Sequence, residues 1–83
     1  MTTMRNRLVA EAWYENKEAT NHRGSLCTDG QQLWSYRLLI GDTCSTTGKK
    51  VLRDYTAKGT HGFQSQTTSC HVGLAAQFAD IID

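Results

Sequence analysis

Hydroxyl side chains crowd the segment from Ser65 to His71, where four of the first five residues are serine or threonine. At the start of a helix such residues accept hydrogen bonds from free backbone N–H groups, and the same groups can also hold a phosphate. The chain has no glycine-rich phosphate loop, so the spacing favours a structural helix cap made of Ser65, Thr67, Thr68 and His71. Thr67 or Thr68 would supply the capping hydroxyl. His71 would face the sheet and hydrogen-bond to a strand carbonyl or to Tyr36.

The cysteines and histidines give little support for nucleophilic or metal chemistry. Cys70 and His71 are adjacent, and neighbouring residues on a helix point about 100° apart, which is poorly suited to proton transfer between them. Cys27, Cys44 and Cys70 include no pair with CxxC spacing. An odd number of cysteines in a cytosolic chain favours free thiols. We predict no catalytic residue, no metal site and no cofactor, and therefore not an enzyme.

Aromatic and basic side chains form the second set of candidates. Arginines and aromatics on a sheet can pair with phosphates and stack on bases, and tryptophan, tyrosine and arginine also anchor protein interfaces. The predicted partner-binding residues are Trp13, Tyr14, Arg37, Lys49, Lys50 and Arg53. Core packing is the competing interpretation for each aromatic. It is favoured for Trp34 and Tyr36, because Leu38 and Ile40 continue their face of a strand.

Length and composition set the class of protein. A chain of 83 residues predicts one small domain over 1–83 with a thin stability margin, which a homodimer or a docked partner would improve. The net charge of +1 gives no overall attraction to nucleic acid or membrane. No apolar run approaches the roughly 18 residues that a bilayer span needs. The first residues also lack the apolar core of a secretory signal. We expect no membrane association and a cytoplasmic location; a homodimer stays open.

Three strands are predicted in the middle of the chain. Residues 25–29 form a short extended segment that ends in a turn at Asp29-Gly30. Alternation from Gln32 to Asp42 predicts one long strand. After a turn at Ser45 to Gly48, Lys50 to Ala57 predicts a third strand, whose charged side chains are typical of a sheet edge.

Helices are predicted at both ends. Thr68 to Ile82 carries an apolar stripe at i, i+3 and i+4 spacing. Gly73 inside it costs roughly 1 kcal/mol relative to alanine and would allow close packing on the sheet. Residues 4–16 also follow helical spacing, although a strand from Arg7 to Tyr14 stays open. The predicted fold is α+β, with a small antiparallel sheet of about three strands, a C-terminal helix and, where residues 4–16 are helical, an N-terminal helix.

Several short motifs together resemble a family of small phage and prophage proteins. They are Ala19-Thr20-Asn21, Asp29-Gly30, Leu33-Trp34-Ser35-Tyr36, Leu39-Ile40-Gly41 and Ser65-x-Thr67-Thr68-x-x-His71. The resemblance covers about residues 19–75. The chain departs from the family pattern at Gly41, where the family usually has alanine, and in a longer run before the last motif.

The resemblance implies an α+β domain that is encoded by a mobile element and works in the bacterial cytoplasm. Small phage accessory proteins often block a host defence system or redirect a host enzyme, so it implies a protein that binds a host protein or complex. Inhibition of CRISPR–Cas or of restriction is one such role. The alternative is a small nucleic-acid-binding regulator that uses the basic and aromatic face of the second and third predicted strands.

Overall fold

The computed structural model describes residues 2–57, 59 and 61–83. Two helices lie in this part of the chain, α1 (Asn6–Tyr14) and α2 (Gln66–Ala75). The strands are β1 (Thr2–Thr3), β2 (Ala19–Thr20), β3 (Leu26–Thr28), β4 (Leu33–Ser35), β5 (Leu38–Thr43), β6 (Lys50–Leu52) and β7 (Ile81–Ile82).

The strands lie side by side in chain order, from β1 at one edge of the sheet to β7 at the other. Pairing is antiparallel from β2 to β6 and parallel in the two outermost pairs. The α+β class is therefore confirmed, but the prediction of about three antiparallel strands understates a mixed sheet of seven strands within the described residues. Most of the strands are only two or three residues long, which is too short to produce a recognisable alternation in the sequence.

The single strand predicted from Gln32 to Asp42 is wrong, because the chain reverses in its middle. β4 and β5 are antiparallel partners joined by a turn at Tyr36 and Arg37. Tyr36 has a φ of 58°, in the left-handed region that tyrosine rarely adopts. Its N–H donates to the carbonyl of Ser25 at 2.6 Å. Neither turn residue is typical of a tight hairpin. The alternation of side chains in the sequence therefore continues through the turn and gives no sign of it.

Helix α1 confirms the helical alternative for the N-terminal segment. Its buried side consists of Val9, Ala10, Ala12 and Trp13. The chain leaves the helix at Asn16, which has a φ of 62°. The N–H of Lys17 donates back to the carbonyl of Ala12 at 2.8 Å. This combination of a left-handed residue and a backward hydrogen bond ends many helices.

Helix α2 ends earlier than predicted. The helix expected from Thr68 to Ile82 occupies Gln66–Ala75, and Ile81–Ile82 forms a parallel strand on β6 instead. Isoleucine fits a helical stripe by its spacing, but its branched side chain also favours a strand. β6 is consequently a short interior strand of Lys50–Leu52, and its predicted place at the sheet edge is wrong.

The core lies between one face of the sheet and the two helices. The helices contact each other, and α1 also contacts β2 and β3, so both cover the same face. The fully buried apolar side chains include Trp13, Leu26, Leu33, Ile40, Leu52 and Ala75. The molecule measures 32 × 31 × 19 Å, and its smallest dimension corresponds to two layers. No helix covers the opposite face of the sheet in the described part of the chain.

Neither of the helices described above has the length and apolar character that crossing a membrane would require.

Candidate functional site

A buried chain of hydrogen bonds links the start of α2 to strand β4. Ser65 is the N-cap of α2, and its Oγ accepts from the N–H of Thr68 at 3.1 Å. Ser65 Oγ also donates to Thr68 Oγ1 at 3.1 Å. Thr68 Oγ1 lies 3.0 Å from Ser35 Oγ, and Ser35 Oγ lies 2.7 Å from His71 Nδ1. The hydroxyl cluster is therefore fixed to the sheet through Ser35.

This network corrects two details of the predicted cap. Ser65 supplies the capping hydroxyl, in place of Thr67 or Thr68, because Ser65 is the extended residue directly before the helix, with φ −160° and ψ 163°. His71 bonds to the hydroxyl of Ser35 instead of a strand carbonyl or Tyr36. The Tyr36 ring lies beside the imidazole, with the two centroids 6.4 Å apart.

The hydroxyl hydrogens of this network allow two arrangements. When Thr68 donates to Ser35 and Ser35 donates to Nδ1, the hydrogen of the neutral ring is on Nε2. In the reverse arrangement Nδ1 carries the hydrogen and donates to Ser35. Burial lowers the pKa of His71 and favours the neutral ring. Nε2 is buried and has no hydrogen-bond partner among the described residues.

A serine hydroxyl beside a histidine is also the arrangement of a nucleophile and its base. Here Ser35 is 0% exposed, Thr68 3% and His71 1%. A substrate cannot reach the Ser35 hydroxyl between the sheet and α2. The geometry of these side chains therefore supports a structural role.

Two of the predicted partner-binding residues are wrong, because they belong to the interior. Trp13 is 0% exposed, and its Nε1 donates to the carbonyl of Gln31 at 3.0 Å. Lys50 is 2% exposed, and its Nζ donates to Asn16 Oδ1 at 2.8 Å, to the Gly30 carbonyl at 2.9 Å and to Thr43 Oγ1 at 2.6 Å. Neither side chain can contact a partner.

Three other predicted partner-binding residues are exposed but lie apart. Tyr14 is at the end of α1, with its ring 6.2 Å from that of Phe78. Arg37 directly precedes the first residue of β5. Lys49 is next to Lys50, which pairs with Thr43, the last residue of β5. Arg37 and Lys49 are therefore at opposite ends of this strand, and the three residues do not form one surface.

Arg53, the sixth predicted partner-binding residue, is half-buried in acidic surroundings. It lines a surface cavity together with Asp42 and Asp83. These carboxylates offset its charge locally. The basic sheet face on which the nucleic-acid hypothesis depends is therefore not assembled around Arg53.

The face of the sheet away from the helices carries an apolar row that sequence analysis missed. Trp34 pairs with Cys27 on one side and with Leu39 on the other. All three side chains are half-buried, and none belongs to the core or packs against it. We call Cys27, Trp34 and Leu39 the outer row. In an alternating strand sequence either set of side chains can face the core. Only the pairing of β4 shows that Leu33 and Ser35 face the core while Trp34 faces away from it.

A second feature is a cavity of about 300 Å³ on the helical side, beside the first turns of both helices. Its lining includes Arg5, Asn6, His22, Arg23, Tyr36, Thr67 and His71, and no aspartate or glutamate. We call it the basic cavity. Sequence analysis missed it because its basic residues come from the N-cap of α1 and from the loop between β2 and β3, which are distant in the chain.

The described part of the chain contains neither a disulfide nor a cluster of metal-ligating side chains. Cys27, Cys44 and Cys70 are free thiols. No group of three or more histidine, cysteine, aspartate or glutamate side chains in that part is arranged to hold a metal ion.

No protein-family model, curated protein or solved structure matches this chain.

Proposed function

We propose that this chain is a non-enzymatic, phage-encoded accessory protein that binds a protein or protein complex of its bacterial host. One role within this proposal is inhibition of a host defence system such as CRISPR–Cas. The phage origin rests on the motif resemblance around residues 19–75. The mode of action, binding without chemistry, rests on the surfaces that the fold presents.

The outer row is the observation that carries the proposal. Cys27, Trp34 and Leu39 are cross-strand neighbours on a sheet face that no described helix covers. A contiguous apolar patch rimmed by polar residues is typical of a protein interaction site. Tryptophan is among the residues whose burial contributes most to such interfaces. Val51 on β6 pairs with the exposed Ile81 of β7 on one side and with Asp42 of β5 on the other, so a carboxylate stands between these two apolar side chains and β5.

The charges beside the outer row favour a protein partner over a nucleic acid. Arg53 lines its surface cavity with Asp42 and Asp83, so the sheet face does not offer the unopposed positive charge that phosphates require. The net charge of +1 adds no long-range attraction. An apolar, nearly neutral face suits the exposed surface of a folded protein.

The test is affinity purification of the tagged chain from the natural bacterial host, with variants on opposite faces. Trp34→Thr removes the central side chain of the outer row and keeps a residue that favours strands. Leu8→Lys is the matched control, since Leu8 is an exposed apolar residue on α1. We expect one host complex in a fixed ratio with the wild type and with Leu8→Lys, and its loss with Trp34→Thr. The purified host protein should reproduce this binding.

Three results would contradict the proposal. Equal binding by Trp34→Thr and the wild type would show that the outer row is not the interface. Sedimentation as a dimer that Trp34→Thr dissociates would assign the row to a homodimer. Retarded mobility of DNA or RNA at about 150 mM salt, lost on Arg37→Ala and Arg53→Ala, would favour the nucleic-acid alternative.

A further inference from the structure

The basic cavity concentrates positive charge without any opposing acid. Arg5, His22 and Arg23 line it, and no carboxylate is part of the lining. The ion pair found among the described residues joins His61 to Asp83, so neither arginine of the cavity is paired there. Arginine is well suited to bind a phosphate, because its planar guanidinium can donate two parallel hydrogen bonds to phosphate oxygens.

The first turns of both helices border the same cavity. Arg5 is the N-cap of α1 and makes no side-chain capping hydrogen bond, and the first turns of α1 and α2 contain no acidic residue. The first backbone N–H of α1 that donates to a carbonyl is that of Val9, which donates to the carbonyl of Arg5 at 3.0 Å. The preceding N–H groups of α1 have no carbonyl partner among residues 2–57, 59 and 61–83, and the helix dipole favours negative charge there.

A buried ring nitrogen without a partner is the independent sign of a ligand. His71 is 1% exposed and lines the cavity, and its Nδ1 is occupied by Ser35. Nε2 points away from Ser35 and lacks any partner in the described part of the chain. Buried polar groups in native proteins are nearly always hydrogen-bonded. Tyr36 is 56% exposed, and its ring lies beside the imidazole, with the two centroids 6.4 Å apart.

We propose that the basic cavity binds a nucleotide phosphate. Arg5, Arg23 and the N–H groups at the start of α1 hold the phosphate, and His71 is a further donor to it in the tautomer that carries its hydrogen on Nε2. Tyr36 at the rim offers its ring for stacking on the base, an interaction that tolerates any base. The volume of about 300 Å³ is at the lower end of the range for small-molecule sites. This site is on the helical side of the molecule and is separate from the outer row.

Calorimetric titration of the full chain with adenosine monophosphate tests the site, with adenosine and inorganic phosphate as the comparison ligands. We expect adenosine monophosphate to bind more tightly than either. Arg5→Ala and Arg23→Ala should each weaken its binding about tenfold or more, as expected for the loss of a hydrogen bond to a charged group. Arg7→Ala is the matched control, because Arg7 is an exposed arginine of α1 outside the cavity, and it should leave the affinity unchanged.

Two further measurements separate the roles of the lining residues. Tyr36→Asn keeps a residue that tolerates a positive φ; it should weaken binding of adenosine monophosphate but not of inorganic phosphate. The ring nitrogen Nε2 of His71 should change its NMR chemical shift when adenosine monophosphate is added, and not when adenosine is added. Thermal melting of each variant verifies that it is folded.

Oligonucleotides distinguish the source of the phosphate. Tighter binding of a 5′-phosphorylated oligonucleotide than of its 5′-hydroxyl counterpart would assign the site to a terminal phosphate, whether of a free nucleotide or of a strand end. Equal binding of both, each tighter than adenosine monophosphate, would assign it to the nucleic-acid backbone. The proposal is overturned if neither adenosine monophosphate nor either oligonucleotide binds at about 1 mM. It is also overturned if Arg7→Ala weakens binding as much as Arg5→Ala.

Discussion

Lys50 shows how far a single residue can depart from what its type suggests. Its charge and position on a predicted edge strand indicated a solvent-exposed partner contact. In the structure its ammonium group is enclosed by three oxygen acceptors from Asn16, Gly30 and Thr43. Burial lowers the pKa of Lys50, and the nearby carboxylates Asp29, Asp80 and Asp42 partly offset that effect. The side chain therefore joins the end of α1, the Asp29-Gly30 turn and the β5–β6 hairpin.

We predict that Lys50→Met destabilises the protein. Methionine fills a similar volume but leaves the Gly30 carbonyl without the donor that it has now, a loss that costs about 1–3 kcal/mol. The neighbouring variant Lys49→Met is the control, because Lys49 is exposed and surface substitutions usually change stability by less than about 0.5 kcal/mol. Urea unfolding of both variants gives the comparison. Equal midpoints would show that the Lys50 hydrogen bonds contribute nothing.

The contact between α1 and β5 depends on a glycine. Gly41 lies beneath Trp13, and a Cβ at position 41 would stand 2.8 Å from Trp13 Cζ2 and 3.0 Å from Leu33 Cβ. The hydrogen bond from Trp13 Nε1 to Gln31 restrains the indole from shifting. The large indole of this chain occupies the space that a methyl group would need.

Replacing Gly41 and Gly73 by alanine should change the stability of the protein in opposite directions. Gly41→Ala overpacks the contact between α1 and β5 and should cost about 1–3 kcal/mol. Gly73 is exposed on α2, and a Cβ there would meet nothing within 4 Å, so Gly73→Ala should stabilise the protein by about 0.5–1 kcal/mol through helix propensity. Thermal or urea unfolding measures both. The structure contradicts the prediction that Gly73 allows close packing of α2 on the sheet. A destabilised Gly73→Ala variant would support that prediction again.

At the scale of the whole molecule, the buried imidazole of His71 makes stability depend on pH. Burial holds the pKa of His71 below its ordinary value of 6.5 in the folded state. The other titratable groups in the lining of the cavity are Arg5, Arg23, His22 and Tyr36, and no carboxylate there offers to stabilise a protonated ring. Below about pH 6.5 the unfolded chain takes up a proton that the folded protein does not.

The melting temperature should therefore fall as the pH is lowered from 7 through 6.5 and down to the folded-state pKa of His71. The variant His71→Gln cannot be protonated, so its melting temperature should change less over the same range, although its overall stability will be lower. Parallel profiles for the two proteins would show that His71 does not govern the acid response. Asp29, whose pKa is lowered by backbone hydrogen bonds from Gln32 and Gln31, adds a loss of stability only below about pH 4, its ordinary range.

Local sequence features determined the parts of the structure that are held by local forces. The α+β class, the Asp29-Gly30 turn and a capped helix beginning within the hydroxyl cluster follow from spacing, turn chemistry or capping within a few residues. Helix α1 was one of two alternatives that its spacing left open. Three of the four residues of the predicted cap, Ser65, Thr68 and His71, form one network, whereas Thr67 makes none of its hydrogen bonds. Its anchor, Ser35, lies 30 positions before Ser65 and could not be identified from the cluster.

Only the tertiary structure decided which side of each strand faces the core and which residues meet. The turn at Tyr36 reverses the chain inside an unbroken alternation, and strand pairing then places Trp34 outside and Ser35 inside. The interior position of β6, between β5 and β7, helps bury Lys50 beside Trp13 and removes both from the predicted partner surface. The outer row and the basic cavity likewise arise from segments distant in the chain. Because a strand alternates with a period of two, its sequence allows either face to be buried, and long-range pairing makes the choice.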